Sequence, residues 1–269
     1  MYRFLLTPRW LAFHLLVLLV IPAFFLLGQW QFGRYETRSA NQERTQANLA
    51  AAPVPLDRLT TVGGTVGDEV KYRAVTVSGR YDPAHELFVR RRTLNGKVGY
   101  YVLTPLVTGE GTAVLVNRGW VPMGPTAEAP PEAPPPATGE VTVRGRLRLG
   151  ETEENSGITD REGLPPRQIL LIDPARLAKR MPYRLYGGYV QLGSQQPPAA
   201  TPPTPVPDPE PDGGGGLNLA YSVQWWLFIG IAIGGWFVLI RREARDRRAA
   251  AEPQPAPPES RTFSDKVTG

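Results

Sequence analysis

The sequence predicts a membrane-anchored α+β fold, with two transmembrane helices flanking a compact, mainly antiparallel β domain on the extracytoplasmic side. Three observations predict it. Apolar runs at residues 10–27 and 218–240 contain no Asp, Glu, Lys or Arg, and each is near the roughly 20 residues a helix needs to cross the hydrocarbon core. Arginines stand just outside both runs: Arg3 and Arg9 before the first, and Arg241, Arg242, Arg245, Arg247 and Arg248 after the second. Positive charge close to span ends stays cytoplasmic, so both termini are expected inside and the middle of the chain outside. That middle alternates apolar and polar residues over short, β-branched segments separated by turn residues.

Taken in order, residues 1–9 read as a cytoplasmic N-terminus and 10–27 as the first span. Gly28-Gln29-Trp30-Gln31 offers no small-x-small cleavage site, so the span reads as a retained anchor, the alternative being a removed leader followed by a single anchor. The β-rich domain covers 28–217. Its first part, 28–52, is polar and alanine-rich and is expected to prolong the first helix until Pro53 and Pro55 end it. Strands are expected at 71–81, 86–93, 99–107, 112–121, 140–149, 167–172 and 186–193. Asn95-Gly96 predicts a tight hairpin between the second and third of these. Asp82-Pro83 and Gly109-Glu110-Gly111 predict the neighbouring turns, so the first four strands read as an antiparallel meander. Asp173-Pro174 supplies an N-cap and a first-turn proline for a short helix over 175–181. Proline-rich loops occupy 122–138 and 196–216; the first holds seven prolines and reads as extended chain or as a disordered insertion. The second joins the domain to the span at 218–240. Residues 241–269 read as a disordered cytoplasmic tail.

Composition excludes several function classes. The formal charge of +5 lies mostly in the residues flanking the spans, so it is a topology signal and not a nucleic-acid face. The chain has no cysteine, which removes disulfides, thiolate catalysis and thiolate metal sites, and leaves an apolar core to hold the domain.

Catalytic machinery is sparse, and the chain reads as a non-enzyme. No GxSxG, HExxH or GxxxxGK[ST] motif is present, and the two histidines, His14 and His85, are far apart. His85 reads as a solvated turn histidine, or as a base beside Asp82. Glu151, Glu153 and Glu154 read as a solvated charge run. His14 falls inside the first span near its cytoplasmic end, where a neutral imidazole is tolerated and an ionisable one is a functional candidate. On the second span, Asn218, Tyr221 and Trp225 share one helical face, with Gln224 beside them. Trp225 and Trp226 suit an interfacial aromatic belt. Gly230 and Gly234 form a GxxxG pair, which either packs the chain's own spans or admits another membrane helix.

Five segments in order resemble the Surfeit-locus family of cytochrome c oxidase assembly proteins. They are LGQWQFGRYETR (27–38), KYRAVTVSGRYD (71–82), GYYVLTPL with VLVNRGWVP (99–106 and 114–122), VTVRGRLR (141–148) and NLAYSVQWW (218–226). The resemblance implies a bacterial assembly factor in the plasma membrane that helps mature the catalytic subunit of a haem-copper oxidase. The step implied is delivery of a-type haem, with the haem a synthesis machinery as a further partner. It also implies a transient haem a, for which the family carries a histidine where this chain has Asn218. Tyr221, Met123 and Met181 are the remaining candidate ligands. A site at the outer membrane surface would use Trp30, Tyr221 and Trp225 against the ring and Arg34 against a propionate. The structural reading of the same residues is that the tryptophans anchor the interface and Arg34 meets lipid headgroups. The alternative function is an envelope-tethered interaction module that scaffolds another membrane complex.

Overall fold

The computed structural model describes residues 3–109, 111–124, 131–209 and 215–250. The chain divides into two compact units. One contains the chain up to Ser39 together with the C-terminal helix, and the other runs from Ala40 to Asp212.

The first unit is a pair of helices, α1 (Pro8–Ala50, whose last turns belong to the second unit) and α4 (Gly216–Ala249). Both are long and apolar enough to cross a membrane. The contacts His14–Trp236, Phe24–Trp225, Gly28–Ser222 and Tyr35–Gly215 run in opposite order along the two chains, so the helices are antiparallel. α1 continues past the first span to Ala50, as the scarcity of breakers between Gly28 and Ala52 predicts. The tail expected to be disordered from 241 is helical up to Ala249. Arg242–Asp246 and Arg247–Glu243 ion pairs at helical spacing support those turns. The remaining tail, 251–269, and Glu110 of the predicted turn lie outside the described residues.

The second unit is built from β1 (Val54–Pro55), β2 (Ala74–Tyr81), β3 (Leu87–Leu94), β4 (Lys97–Gly109), β5 (Thr112–Pro122), β6 (Glu140–Arg148), β7 (Gln168–Ile169) and β8 (Arg184–Gln196). Two helical turns, α2 (Glu153–Ser156) and α3 (Pro174–Leu177), lie between the later strands. The strands hydrogen-bond in the order β1-β2-β6-β8-β5-β4-β3-β7, and β2 also pairs with β4 through Arg80↔Val107 and Tyr81↔Leu106. The strands β2, β6, β8, β5 and β4 therefore close into a barrel, from which β3 and β7 extend. The predicted meander β3-β4-β5 is present, and its hairpin turns at Asn95 and Gly96, both with positive φ. β2 does not continue the meander as expected: it pairs with β6 along its length and with β4 only at its end. β5 and β8 are parallel, within a sheet that is otherwise mainly antiparallel.

Burial explains the closure. Val114 and Val116 of β5 point into one apolar cluster with Val75, Leu106, Val143 and Val190. Ala113 and Leu115 point the other way, into a second cluster with Val89, Leu103, Ile172 and Leu177 under α3. β5 is buried on both faces, which is why its residues 113–116 form an unbroken apolar run. Two strand expectations are shortened for local reasons. β2 starts at Ala74 because Asp68–Val70 form a 3-10 turn and Tyr72 has φ +66. The strand expected at 167–172 keeps only Gln168–Ile169. Arg92 takes the carbonyl of Leu170, and Glu151 bonds both the N–H and the C=O of Ile172. Asp173 caps α3 as predicted, accepting from the N–H groups of Ala175 and Arg176.

The proline-rich segments are fastened to the barrel where they are described. Pro134 O accepts from Arg118, Thr204 pairs with Trp120, and Gln191 Nε2 donates to the carbonyls of Val206 and Pro207. Residues 125–130 and 210–214 lie outside the described residues.

Two barrel tyrosines report on the core. Burial pushes the phenols of Tyr81 and Tyr189 well above their ordinary range, with Arg118 and Arg148 respectively opposing the shift. The unfolded chain releases these protons above roughly pH 10, whereas the folded barrel retains them, so stability falls as pH rises beyond that point. The urea midpoint is expected to decline above roughly pH 10, and Tyr81→Phe to remove part of the decline. An identical slope in the variant would show that Tyr81 is not responsible.

Candidate functional site

The residues expected to form a site at the outer membrane surface, Trp30, Arg34, Tyr221 and Trp225, lie on the helix pair. Trp30 and Arg34 face the same way on α1, with the guanidinium 5.4 Å from the indole centre. Trp30 is 57% exposed, so this cation–π pair presents a flat aromatic surface and a charge together. On α4, Trp225 packs against Phe24 and Phe228, and Tyr221 is half-exposed. No hydrogen bond, ion pair or ring contact joins Trp30 or Arg34 to Tyr221 or Trp225 among the described residues.

Close helix contact was not legible from the predicted motifs. Ser222 Oγ, fully buried, donates to Gly28 O at 3.0 Å. Trp226 lies across Gly28 so tightly that a Cβ there would meet its Nε1 at 2.4 Å, and it stacks against Phe32. Trp226 therefore serves the helix–helix contact as well as any interfacial belt. The signal was available in the pairing of one glycine with one serine, small residues that let helices approach. Gly230 and Gly234 do not perform this role: nothing lies within 4 Å of a Cβ placed at either. The reading in which they pack the chain's own spans is corrected.

Of the candidate ligands for the haem that the resemblance implies, Asn218 and His14 do not fit an iron site, and Tyr221 is the half-exposed oxygen donor that remains on α4. Asn218 is buried, its Nδ2 without a partner among the described residues, as is Gln31 Oε1 on α1. An amide is a poor axial ligand where histidine, thiolate, methionine or tyrosinate are usual. His14 Nδ1 accepts from Trp236 Nε1 at 2.9 Å, so its imidazole is committed to the helix pair. Met181 packs in the second apolar cluster of the barrel, and Met123 is exposed just past β5.

In the barrel, His85 is not a free turn residue but lies against Asp82. Its Nδ1 lies 2.7 Å from Asp82 Oδ2, and Tyr183 OH donates to the same carboxylate oxygen. Glu151 is corrected from a solvated charge to a partly buried brace, ion-paired to Arg92 and bonded to Ile172 N–H. Glu153 and Glu154 are exposed, as expected. The most buried charge network was missed by the sequence reading. Glu86 Oε2 accepts from Arg118 Nη2 at 2.6 Å and from Thr104 Oγ1 at 2.7 Å, and Arg118 Nε donates to Thr104 Oγ1 at 2.8 Å.

A family model described as the SURF1 family matches residues 18–230. The chain belongs to the SURF1 family. An uncharacterized SURF1-like protein of Mycobacterium tuberculosis (strain ATCC 25618 / H37Rv) is 32% identical over 261 residues, covering 95% of this chain and 93% of its own. Surfeit locus protein 1 of Xenopus tropicalis is 32% identical over 157 residues, covering 52% of this chain and 49% of its own. Cytochrome oxidase assembly protein SHY1 of Saccharomyces cerevisiae is 32% identical over 98 residues, covering 36% of this chain and 25% of its own. The SURF1 match spans the whole barrel and part of each helix, so Trp30, Arg34, Arg118 and Asn218 all lie within it.

Proposed function

We propose that this protein is an assembly factor for a haem-copper cytochrome c oxidase, acting when a-type haem is delivered to, or the site is matured in, the catalytic subunit. The observation that carries this reading is the SURF1 match over residues 18–230, with one relative named as a cytochrome oxidase assembly protein. The protein sits in the bacterial plasma membrane as two spans with both termini cytoplasmic and the barrel outside, a reading supported by the arginine asymmetry and the two apolar helices. It works as a chaperone and not as an enzyme. Its contribution is contact with the oxidase subunit or the haem-supplying machinery. Trp30 with Arg34, and Tyr221 with Trp225, are the partner-contact surfaces. The unpartnered Gly230 and Gly234 leave α4 open to another membrane helix.

The test is a deletion strain complemented in turn with the wild-type chain and variants. Membranes of the deletion strain are expected to lose a-type haem absorbance while b-type absorbance persists. Trp30→Ala and Arg34→Ala are expected to restore less oxidase than His85→Ala at equal protein level. Unchanged a-type absorbance in the deletion strain would overturn the function, and equal rescue by all three variants would overturn the site.

A further inference from the structure

The loop at 158–167, strand β7 and the helical turn at 174–180 enclose a cavity of about 470 Å³ on the barrel unit. That volume is within the usual range for a ligand pocket. Its floor is apolar and buried: Ile169, Leu171 and Leu177. Its rim is charged and exposed. Arg176 pairs with Asp160 at 2.9 Å and ties the loop to α3, while Asp173 is committed to capping that helix. Arg161, Lys179 and Arg180 are left without an ion-pair partner among the described residues, against the single carboxylate of Glu162. Gln168, in the wall, is 4% exposed; its Oε1 accepts from Arg90 at 2.7 Å, and its Nε2 has no partner among the described residues. The fold thus maintains an apolar floor, an amide donor with unused bonding capacity, and two banks of cations on different elements. Nothing in the barrel core requires that combination.

We propose that this pocket binds an acidic, partly apolar peptide segment of a partner protein. An aliphatic side chain rests on Leu171 and Leu177, and carboxylates on either side of it meet Arg161 on the loop and Lys179 with Arg180 on the helical turn. A free small carboxylate would engage only one of the two cationic banks, whereas an extended segment with spaced acids engages both. The rim charges are exposed, so they steer and select more than they bind, and the affinity will be salt-dependent. The inference stands independently of which complex the protein serves.

The test uses the full chain in phosphatidylcholine nanodiscs. The probes are a dye-labelled short peptide alternating glutamate and leucine, its glutamine–leucine counterpart, and dodecanoate. The glutamate peptide is expected to bind saturably and to weaken as salt rises. The combined substitution Arg161→Gln, Lys179→Gln and Arg180→Gln is expected to weaken it about tenfold or more. Arg80→Gln, an exposed cation on β2, should leave it unchanged. Equal binding of the glutamine peptide, equal binding by the triple variant, or no saturable binding would each overturn the proposal. Binding of dodecanoate alone would assign the pocket to a small amphiphile instead.

Discussion

Replacing Arg118 with methionine is expected to destabilise the barrel by about 3–5 kcal/mol, the cost of removing one member of a buried ion pair. Arg118 is 3% exposed and Glu86 6%. The guanidinium binds Glu86, Thr104 and the carbonyl of Pro134. Methionine fills much of the volume but offers none of these donors. Glu86 would keep only Arg167, half-exposed and 3.5 Å away, as a cation. Replacing both partners, as Arg118→Met with Glu86→Leu, should recover most of the loss, because the desolvation penalty disappears with the stranded charge. Trp120 is the only tryptophan between residues 40 and 212, and it is buried in β5. Its fluorescence reports the barrel transition, with the five helix-pair tryptophans replaced by phenylalanine. Equal destabilisation in the single and double variants would show that packing, not charge, holds this junction.

The same residues explain what the sequence could and could not convey. Period-two alternation located β2 and β6 to within a few residues, and β6 shows the single inward face that produces such alternation. Asn95-Gly96 fixed a hairpin because few other dipeptides tolerate positive φ at both positions. Closure was not legible. It depends on a two-residue pairing between β2 and β4, and on parallel β5–β8 pairing across about 70 residues, and neither leaves a local mark. Glu151 shows the limit from another side. In a sequence it is one of three acids in a turn-rich segment; in the fold it is the one that reaches Arg92 and the backbone of Ile172.

The candidate site divides in the same way. Aromatic and arginine positions at the span ends were legible, since amphipathic residues at a lipid boundary have a physical reason to be there. Their grouping was not. Trp30 and Arg34 meet because they are four apart on one helix, whereas Ser222 meets Gly28 only because two distant helices align in one register. The GxxxG pair points the other way as a lesson: the motif was visible, but which helix it faces is a tertiary fact. Asn218 could be flagged as a non-ligand from its amide alone, and its burial adds a reason independent of the resemblance.

Gly79→Val is expected to open the barrel at its weakest seam. Gly79 lies in β2 next to the two pairs that join β2 to β4, and a Cβ there would meet Val107 O at 2.3 Å and Leu106 Cγ at 3.1 Å. The nearest obstacle is backbone, so it cannot yield by a rotamer change. The strands must separate, at a cost of about 1–3 kcal/mol for overpacking, with the seam's hydrogen bonds lost in addition. Along the rest of its length β2 is held by β6, from Ala74↔Arg146 to Arg80↔Glu140, and β4 by β3 and β5. The damage should therefore be local. Hydrogen exchange is expected to quicken at those amides of Arg80, Tyr81, Leu106 and Val107 that face the β2–β4 seam, while the amides that face β5 and β6 stay protected. Tyr81 donates to Gln195 across the barrel interior, so an open seam would also admit water to its phenol and lower the pH at which it ionises. Gly193→Ala is the control, since its Cβ would find only an ordinary contact, 3.4 Å from Arg144 O. Uniform acceleration across all strands would mean that the barrel has no separable seam and that β2–β4 closure is built into one cooperative core.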